Sequence, residues 1–301
     1  MCIRDSITTL CLLAVLGLGL AACGGDAADQ SSDGAKPTLK FTAIPGEDPT
    51  RMREKFAPVA TYLSKELGVP VEYIHATKYS ASVEMFRNGD VMLAWFGGLT
   101  GVQARELVKG ARAIAQGVED PKYHSYFIAH KDAGFEKSDD FPMGIAGKSF
   151  TFGSKSSTSG RLMPEHFIRM NTGKSPTEFL GAAPAFSGSH DKTCEQVESG
   201  AVQVGAVSYT TYDRRVKEGT TDPSVCKIIW KTPDYADYNF TAHPKLDETY
   251  GAGFTDKLQK ALLAMKGDEL LGGFQRSGMI PAKNEDFDAI LALAKKLGLL
   301  R

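Results

Sequence analysis

The chain has 301 residues, with 35 lysines and arginines against 36 aspartates and glutamates and a formal net charge of −1. This balance provides no basic excess for binding nucleic acid and no acidic tail, so we expect neither. The length is sufficient for a large core or for two lobes. Any anion-binding site must therefore come from local geometry rather than from bulk charge.

The N-terminus has the pattern of a bacterial export signal. The apolar run Ile7–Ala22 is too short to span a bilayer comfortably and fits the hydrophobic region of a signal peptide. It ends in the sequence LAAC at Cys23, which resembles a lipobox. The alternative is a fortuitous cysteine near an ordinary cleavage site, and the expected positive charge is missing because Asp5 offsets Arg4. We predict a signal peptide over residues 1–22, lipidation of Cys23 and an extracytoplasmic, membrane-anchored protein.

Residues 23–37 are small, polar and rich in Gly, Ser and Asp, with no apolar periodicity. This composition predicts a flexible tether.

Strand and helix patterns alternate after the tether. Strand patterns cover residues 38–44, 69–74 and 91–98, and helical patterns cover residues 51–68, 79–88 and 99–110. This βαβαβα order predicts a largely parallel sheet with helices on both faces.

The rest of the chain continues the α/β style. Strand patterns cover residues 148–154, 201–209 and 226–232, and helical patterns cover residues 160–173, 193–199, 255–266 and 284–298. We predict an α/β fold of two lobes, with residues 38–130 and 236–301 in the first and residues 131–235 in the second. The ligand is expected in the cleft between them, at the carboxyl ends of strands.

Residues 154–160, SKSSTSG, lie between a predicted strand and a predicted helix. The free N–H groups and the dipole of a helix N-terminus favour an anion, and Ser157, Thr158 and Ser159 add hydroxyl donors. Gly160 allows the backbone to approach a ligand closely. The alternative is ordinary N-capping, but one cap needs fewer hydroxyls. We therefore predict that this loop binds an oxyanion.

Other candidates are weaker one by one. His190, near the start of a predicted helix, could donate a hydrogen bond to an oxyanion, or could be a surface histidine. Trp95 and Phe96 could wall a pocket or belong to the core. Tyr79 and Tyr209 are further hydroxyl candidates.

Two of the five cysteines, Cys194 and Cys226, lie outside the signal segment and the lipobox. In an oxidising compartment such a pair favours a disulfide. The alternative is two buried thiols.

Five stretches of the chain, in order, resemble the phosphate/phosphite/phosphonate-binding group of ABC transporter solute-binding proteins, which includes selenate binders. The stretches are IPGEDP, KYSASVEMFRNGDVMLAWFGG, FGSKSSTSGRLMP, FSGSHDKTCEQVESGAVQVGAVSYTTYD and WKTPDYADYNF. The resemblance implies a two-lobed periplasmic-binding-protein fold, of type II, that closes on its ligand.

The resemblance also assigns roles. It implies that Tyr79 and an aromatic residue near Trp95 line one wall, that residues 157–159 grip the oxyanion and that His190 assists. Phosphonate binders of the group hold an amine with an acid where this chain has Ser208 and Tyr209. We therefore expect a bare oxyanion such as phosphate, phosphite or selenate rather than an aminoalkylphosphonate.

These observations predict a monomeric solute-binding protein that delivers an oxyanion to an ABC permease and needs no cofactor or metal. A sensor component that presents the ligand to a membrane receptor kinase is the alternative. A hydrolase is not favoured, because the chain lacks a Gly-x-Ser-x-Gly elbow and His190 and Asp191 are adjacent in sequence.

Overall fold

The computed structural model describes residues 36–300. The predicted signal peptide, the lipidation site at Cys23 and all but the last two residues of the predicted tether lie outside these residues. No helix within residues 36–300 has the length and apolar character needed to cross a membrane.

The first sheet has six strands in the order β11-β4-β10-β3-β1-β2. They are β1 (Leu39–Ala43), β2 (Val71–Tyr73), β3 (Leu93–Phe96), β4 (Arg112–Gly117), β10 (Asn239–Ala242) and β11 (Met279–Pro281). Strand β1 pairs in parallel with β2 and β3, as predicted. Strand β10 is antiparallel to β3 and β4, and β11 is antiparallel to β4, so the prediction of a largely parallel sheet holds only for one half.

The second sheet has five strands in the order β7-β6-β8-β5-β9. They are β5 (Ser125–His130), β6 (Phe150–Phe152), β7 (Ala185–Phe186), β8 (Val204–Ser208) and β9 (Cys226–Lys231). Strand β6 is parallel to β7 and β8, whereas β5 is antiparallel to β8 and β9. We predicted residues 125–130 in the first lobe, but their pairing assigns them to the second, so the boundary precedes Ser125.

Eleven α-helices lie within the described residues. They are α1 (Pro49–Leu67), α2 (Tyr79–Asn88), α3 (Gly98–Leu107), α4 (Met163–Thr172), α5 (Pro176–Leu180), α6 (His190–Glu198), α7 (Tyr209–Lys217), α8 (Leu246–Tyr250), α9 (Phe254–Leu263), α10 (Asp268–Leu271) and α11 (Asp288–Lys296). A π-helical turn, Thr158–Leu162, precedes α4. The larger helical patterns of the sequence therefore appear close to the predicted bounds.

Helix α1 fixes the loop that follows β1. The Asp48 side chain caps it by accepting hydrogen bonds from the backbone N–H groups of Thr50 and Arg51. Its buried residues recur at helical spacing and pack into the core of the first sheet; they are Met52, Phe56, Val59, Leu63 and Leu67. Residues 46–48 are thus held at the carboxyl end of β1.

Two connections join the sheets, residues 118–124 between β4 and β5 and residues 232–238 between β9 and β10. They pair with each other, because Tyr123 and Tyr235 exchange backbone hydrogen bonds of 2.9 and 2.8 Å. The chain therefore passes between the two sheets twice, through one paired hinge.

The predicted disulfide is absent from the structure. Cys194 on α6 and Cys226 at the start of β9 are buried free thiols. They pack with apolar side chains in one small cluster, with Ile128, Val197, Val207 and Tyr212. Burial raises the pKa of both thiols, that of Cys194 to about 12. Here the cysteines act as small hydrophobic residues, which was the alternative interpretation.

We expect a soluble form that begins after Cys23 to titrate two thiols once it is denatured without reductant. The folded form should react slowly, because both thiols are buried and protonated. A colorimetric thiol assay before and after denaturation measures both quantities. Finding no reactive thiol after denaturation would contradict the structure and restore the disulfide.

Candidate functional site

Loops from both lobes meet at the carboxyl ends of the parallel strands. The first lobe contributes the loop after β1, the N-terminus of α2 and the β3–α3 turn. The second contributes the β6–α4 loop, the N-terminus of α6 and the end of β8. Ligands of open α/β sheets bind at this edge.

The loop of residues 157–159, which we call the hydroxyl loop, is buried at the centre of this cleft. Ser157, Thr158 and Ser159 are each at most 2% exposed. The Ser157 hydroxyl accepts a hydrogen bond of 2.9 Å from the N–H of Gly160, and the Thr158 hydroxyl accepts one of 3.0 Å from the N–H of Leu99 in the other lobe. The structure thus brings together the three predicted hydroxyls.

His190 is the first residue of α6, and its backbone N–H makes a hydrogen bond across the cleft. Its N–H donates to the carbonyl oxygen of Gly46 at 3.0 Å. Its Nδ1 accepts from the N–H of Ser208 at 3.3 Å, so the proton of the neutral ring lies on Nε2, which is 3.4 Å from the Ser159 hydroxyl. Burial lowers the pKa of His190 to about 4, although Asp191 and Glu47 oppose the shift. At neutral pH this ring is an uncharged donor.

Tyr79, the first residue of α2, brings another hydroxyl to the cleft. The side chain is buried and its hydroxyl has no hydrogen-bond partner among the described residues. A Cβ atom on Gly46 would lie 3.1 Å from that hydroxyl and 3.4 Å from Cδ2 of His190. The glycine therefore preserves the space between the two groups. A buried hydroxyl without a partner is unusual in a structural role.

Asp237 is a site residue that the sequence analysis missed. It lies near the end of the second connection between the lobes, and its Oδ1 accepts from the N–H of Gly98 at 2.8 Å. Its Oδ2 is buried without a hydrogen-bond partner among the described residues. Burial raises the pKa of Asp237 to about 7, although hydrogen bonds from Gly98 and from the Thr158 hydroxyl oppose the shift.

Gly97 keeps Asp237 next to the hydroxyl loop. A Cβ atom at this position would lie 3.0 Å from Oδ1 of Asp237 and 3.1 Å from the hydroxyl of Thr158. The glycine between β3 and α3 is therefore needed for the two lobes to approach here. No pattern around Asp237 in the sequence indicates this role; the glycine turn after β3 is the nearest signal.

Positive charges at this cleft are already paired. Arg276 binds Asp120 at 2.6 and 3.0 Å, and Lys55 binds Glu47 at 2.7 Å. The Arg276 guanidinium also lies over the rings of Tyr123 and Tyr238. Among the described residues of the cleft, the donors left for an anion are therefore neutral, and Asp237 is a carboxyl group without a cationic partner.

The aromatic candidates separate into two groups. Trp95 stacks on Tyr238 with ring centroids 5.5 Å apart, and both line a cavity of about 20 Å³ between the lobes. Phe96 points to the opposite face of β3 and packs on Phe86 in the core, so the structure does not bring it to the cleft. This is the alternation that a strand imposes.

Ser208 and Tyr209 were predicted to be site residues, but their side chains do not reach the cleft. The Ser208 hydroxyl caps α7 by accepting from the N–H of Thr211. The Tyr209 ring stacks on His124, with centroids 4.1 Å apart, at the hinge. The next residues, Thr210 and Thr211, line the cavity instead. Ser208 thus positions His190 through its backbone rather than facing the cavity.

We expect Asp237→Asn to stabilise the ligand-free protein at alkaline pH. The folded-state pKa exceeds the unfolded value, so wild-type stability falls as the pH rises from about 4 to about 7 and then stays low. The variant should therefore gain nothing near pH 4 and roughly 2–4 kcal/mol at pH 8.

Denaturant unfolding followed by tryptophan fluorescence at both pH values measures this difference, with the exposed Asp139→Asn as the control. An equal effect of Asp237→Asn at the two pH values would contradict the raised pKa.

Comparisons with known proteins agree with this architecture. The family described as "ABC transporter, phosphonate, periplasmic substrate-binding protein" matches residues 41–287. The chain is 34% identical over 270 residues to the probable ABC transporter phosphite binding protein PhnD1 of Prochlorococcus marinus. This alignment covers 87% of this chain and 91% of that protein. It is 30% identical over 304 residues to the phosphate-import protein PhnD of Mycolicibacterium smegmatis, with 92% of each covered.

Solved structures give the same result. PhnD1 of Prochlorococcus marinus in complex with methylphosphonate has a TM-score of 0.82 at 35% identity, covering 87% of this chain and 98% of that one. A binding protein component of an ABC phosphonate transporter from Pseudomonas aeruginosa has a TM-score of 0.75 at 21% identity, covering 86% and 85%, which speaks for the fold alone. The two-lobed fold and the family resemblance are therefore confirmed.

Proposed function

The chain belongs to the phosphonate-binding family of ABC transporter periplasmic substrate-binding proteins, and we propose that it captures a small tetrahedral oxyanion between its lobes for import. Membership of this family of transporter binding proteins supports a role in transport rather than in catalysis. The relatives named above are transport proteins too, which favours import over the sensor alternative.

The observation that carries the proposal is the composition of the cleft. The hydroxyls of Tyr79, Ser157 and Ser159 lie there as neutral donors. The Nε2–H of His190 is a further donor, whereas the Thr158 hydroxyl already donates to Asp237. An oxyanion that leaves water regains hydrogen bonds from such donors without an added charge. The hydroxyl of Tyr79 and Oδ2 of Asp237 are buried without hydrogen-bond partners within residues 36–300, and they are the groups that a ligand would satisfy.

Asp237 narrows the class of ligand. Two negative charges in contact in a buried site are unfavourable, so the carboxyl and the oxyanion must share a proton. Phosphate, phosphite and alkylphosphonates have such a proton near neutral pH. Sulfate and selenate are fully ionised there, so we place selenate, which the sequence left within the class, below the phosphorus oxyanions.

The rest of the cleft favours a ligand with a small, uncharged substituent. A cavity of about 20 Å³ between the lobes is lined by His190 and walled by Trp95 and Tyr238. Other carboxylates nearby are already paired, Asp120 with Arg276 and Glu47 with Lys55. Asp237, which would share a proton with the oxyanion, is then the unpaired carboxyl nearest the site among the described residues. An aminoalkyl group would compete with the oxyanion for it, so we place such ligands below those whose substituent is hydrogen, hydroxyl or methyl.

Delivery of the ligand to a permease would depend on closure of the two lobes. A ligand that contacts both lobes favours the closed form, and a permease can read that difference. The predicted lipid at Cys23 would hold the protein at the membrane surface beside this permease. We retain the anchor and the monomeric state as parts of the proposal.

We expect titration calorimetry on the soluble form to detect phosphite, phosphate or methylphosphonate, and to detect sulfate, selenate and 2-aminoethylphosphonate only at roughly 100-fold higher concentration. The preferred ligand, at 100 times its Kd, should stabilise the protein by about 2.7 kcal/mol.

Ser157→Ala/Thr158→Ala should weaken binding roughly 100-fold, because it removes the Ser157 donor and the Thr158 hydroxyl that holds Asp237. Ser156→Ala in the same loop is the matched control. Binding of none of the phosphorus oxyanions by folded, ligand-stripped protein would contradict the proposed function. Unchanged binding in the double variant would show that the site lies elsewhere.

A further inference from the structure

A second group of residues joins the lobes at the mouth of the cleft, outside the site described above. The first lobe contributes Glu47, Asp48 and Arg51, from the loop after β1 and the first turn of α1. The second contributes Asp191 on α6, Arg214 on α7 and Glu218, which directly follows α7. We call these six residues the clasp.

Arg214 is the centre of the clasp. Its Nη2 is 2.7 Å from Asp191, its Nη1 is 2.9 Å from Glu218, and its Nε is 3.4 Å from Glu47 of the other lobe. Its side chain is only 11% exposed. Burial opposes the charge, but the three carboxylates outweigh this effect and raise the pKa of Arg214.

Two further contacts of the clasp cross the cleft. The Arg51 guanidinium binds both carboxylate oxygens of Glu218, at 2.9 and 2.8 Å. The backbone N–H of Asp48 donates to Oδ2 of Asp191 at 2.9 Å. Three separate contacts therefore bridge the lobes at this edge. Each joins the segment at the start of α1 to the segment formed by α6, α7 and Glu218.

The charges of the clasp also have partners within their own lobes. Arg214 keeps Asp191 and Glu218, and Glu47 keeps Lys55 at 2.7 Å. Separating the lobes would therefore break the cross-lobe contacts without leaving a buried charge unpaired, which would otherwise be very costly. This arrangement suits contacts that form and break repeatedly.

The clasp is continuous with the ligand site through the backbone. Gly46, whose carbonyl accepts from the N–H of His190, directly precedes Glu47, and Asp191 directly follows His190. The same pair of segments thus approaches the ligand on one side and forms the clasp on the other. Any contact that exists only in the closed form lowers the Kd of a ligand that requires closure.

We propose that Arg214 is a positioning residue that increases ligand affinity by holding the lobes closed, without contacting the ligand. The proposal uses the oxyanion-capture function as its readout, but it concerns the equilibrium between open and closed forms. Because the ligand enters the open form, in which the clasp is broken, loss of the clasp should raise the dissociation rate and leave the association rate nearly unchanged.

The test uses the soluble form that begins after Cys23, with phosphite as the probe. We expect Arg214→Met to raise the Kd roughly 10-fold, almost entirely through faster dissociation, and Arg51→Gln to raise it roughly 3-fold, since that pair is more exposed. Arg169→Met is the matched control, because Arg169 pairs with Glu165 within a single helix. Stopped-flow tryptophan fluorescence gives both rates, and Trp95 lies at the cleft.

X-ray scattering supplies a readout that does not depend on phosphite. The radius of gyration of ligand-free Arg214→Met should exceed that of the control. If wild-type protein fails to bind phosphite but the radii differ in this way, the ligand assignment fails and the clasp stands. If Arg214→Met and Arg51→Gln both match Arg169→Met in Kd and in radius, the clasp is wrong.

Discussion

The cleft depends on one constraint: a carboxyl group, Asp237, is buried without an ion-pair partner in the part of the chain that the structure describes. The nearby positive charges of Arg276 and Lys55 are held by Asp120 and Glu47. A buried carboxyl in this situation keeps its proton to higher pH, and its pKa is raised to about 7. The site therefore combines neutral donors with a group that can give or accept a proton at physiological pH, and this combination favours ligands that also titrate there.

The fold provides this arrangement through its two connections. Asp237 lies near the end of the second connection, and Tyr123 and Tyr235 pair the two segments at the hinge. Gly46 and Gly97 are small enough for the strand ends of the first lobe to reach the hydroxyl loop of the second. Farther out, the clasp around Arg214 joins the same two lobes with ion pairs. In this proposal the neutral donors at the centre of the cleft recognise the ligand, whereas the ion pairs of the clasp at the rim hold the lobes closed.

Much of the site was predictable because its signals are local. A strand, a run of hydroxyls and a helix identify residues 157–159, and His190 lies at a helix start that its neighbours indicate. Asp237 has no such signal, because its role depends on Gly98 and Thr158, which are distant in sequence. Phe96 was misjudged because the sequence at the end of a strand shows which residues are aromatic, but not which face of the sheet each side chain lies on.

The misjudged features of the fold have the same origin. Strands β4, β5 and β10 lie at the crossings between lobes, and their partners are set by the paired hinge rather than by alternation in sequence. The boundary near Ser125 and the antiparallel half of the first sheet follow from that hinge. The free state of Cys194 and Cys226 depends on their packing in a small apolar cluster, which cysteine count and compartment do not reveal.

The central claim is that one proton is shared between Asp237 and the bound oxyanion. Calorimetry of phosphite binding at pH 8, in buffers that differ in ionisation enthalpy, counts the protons taken up on binding. Both the carboxyl and phosphite are largely ionised at that pH, so we predict uptake approaching one proton per site in wild-type protein and markedly less in Asp237→Asn. No proton uptake in wild-type protein, or equal uptake in the variant, would contradict the account.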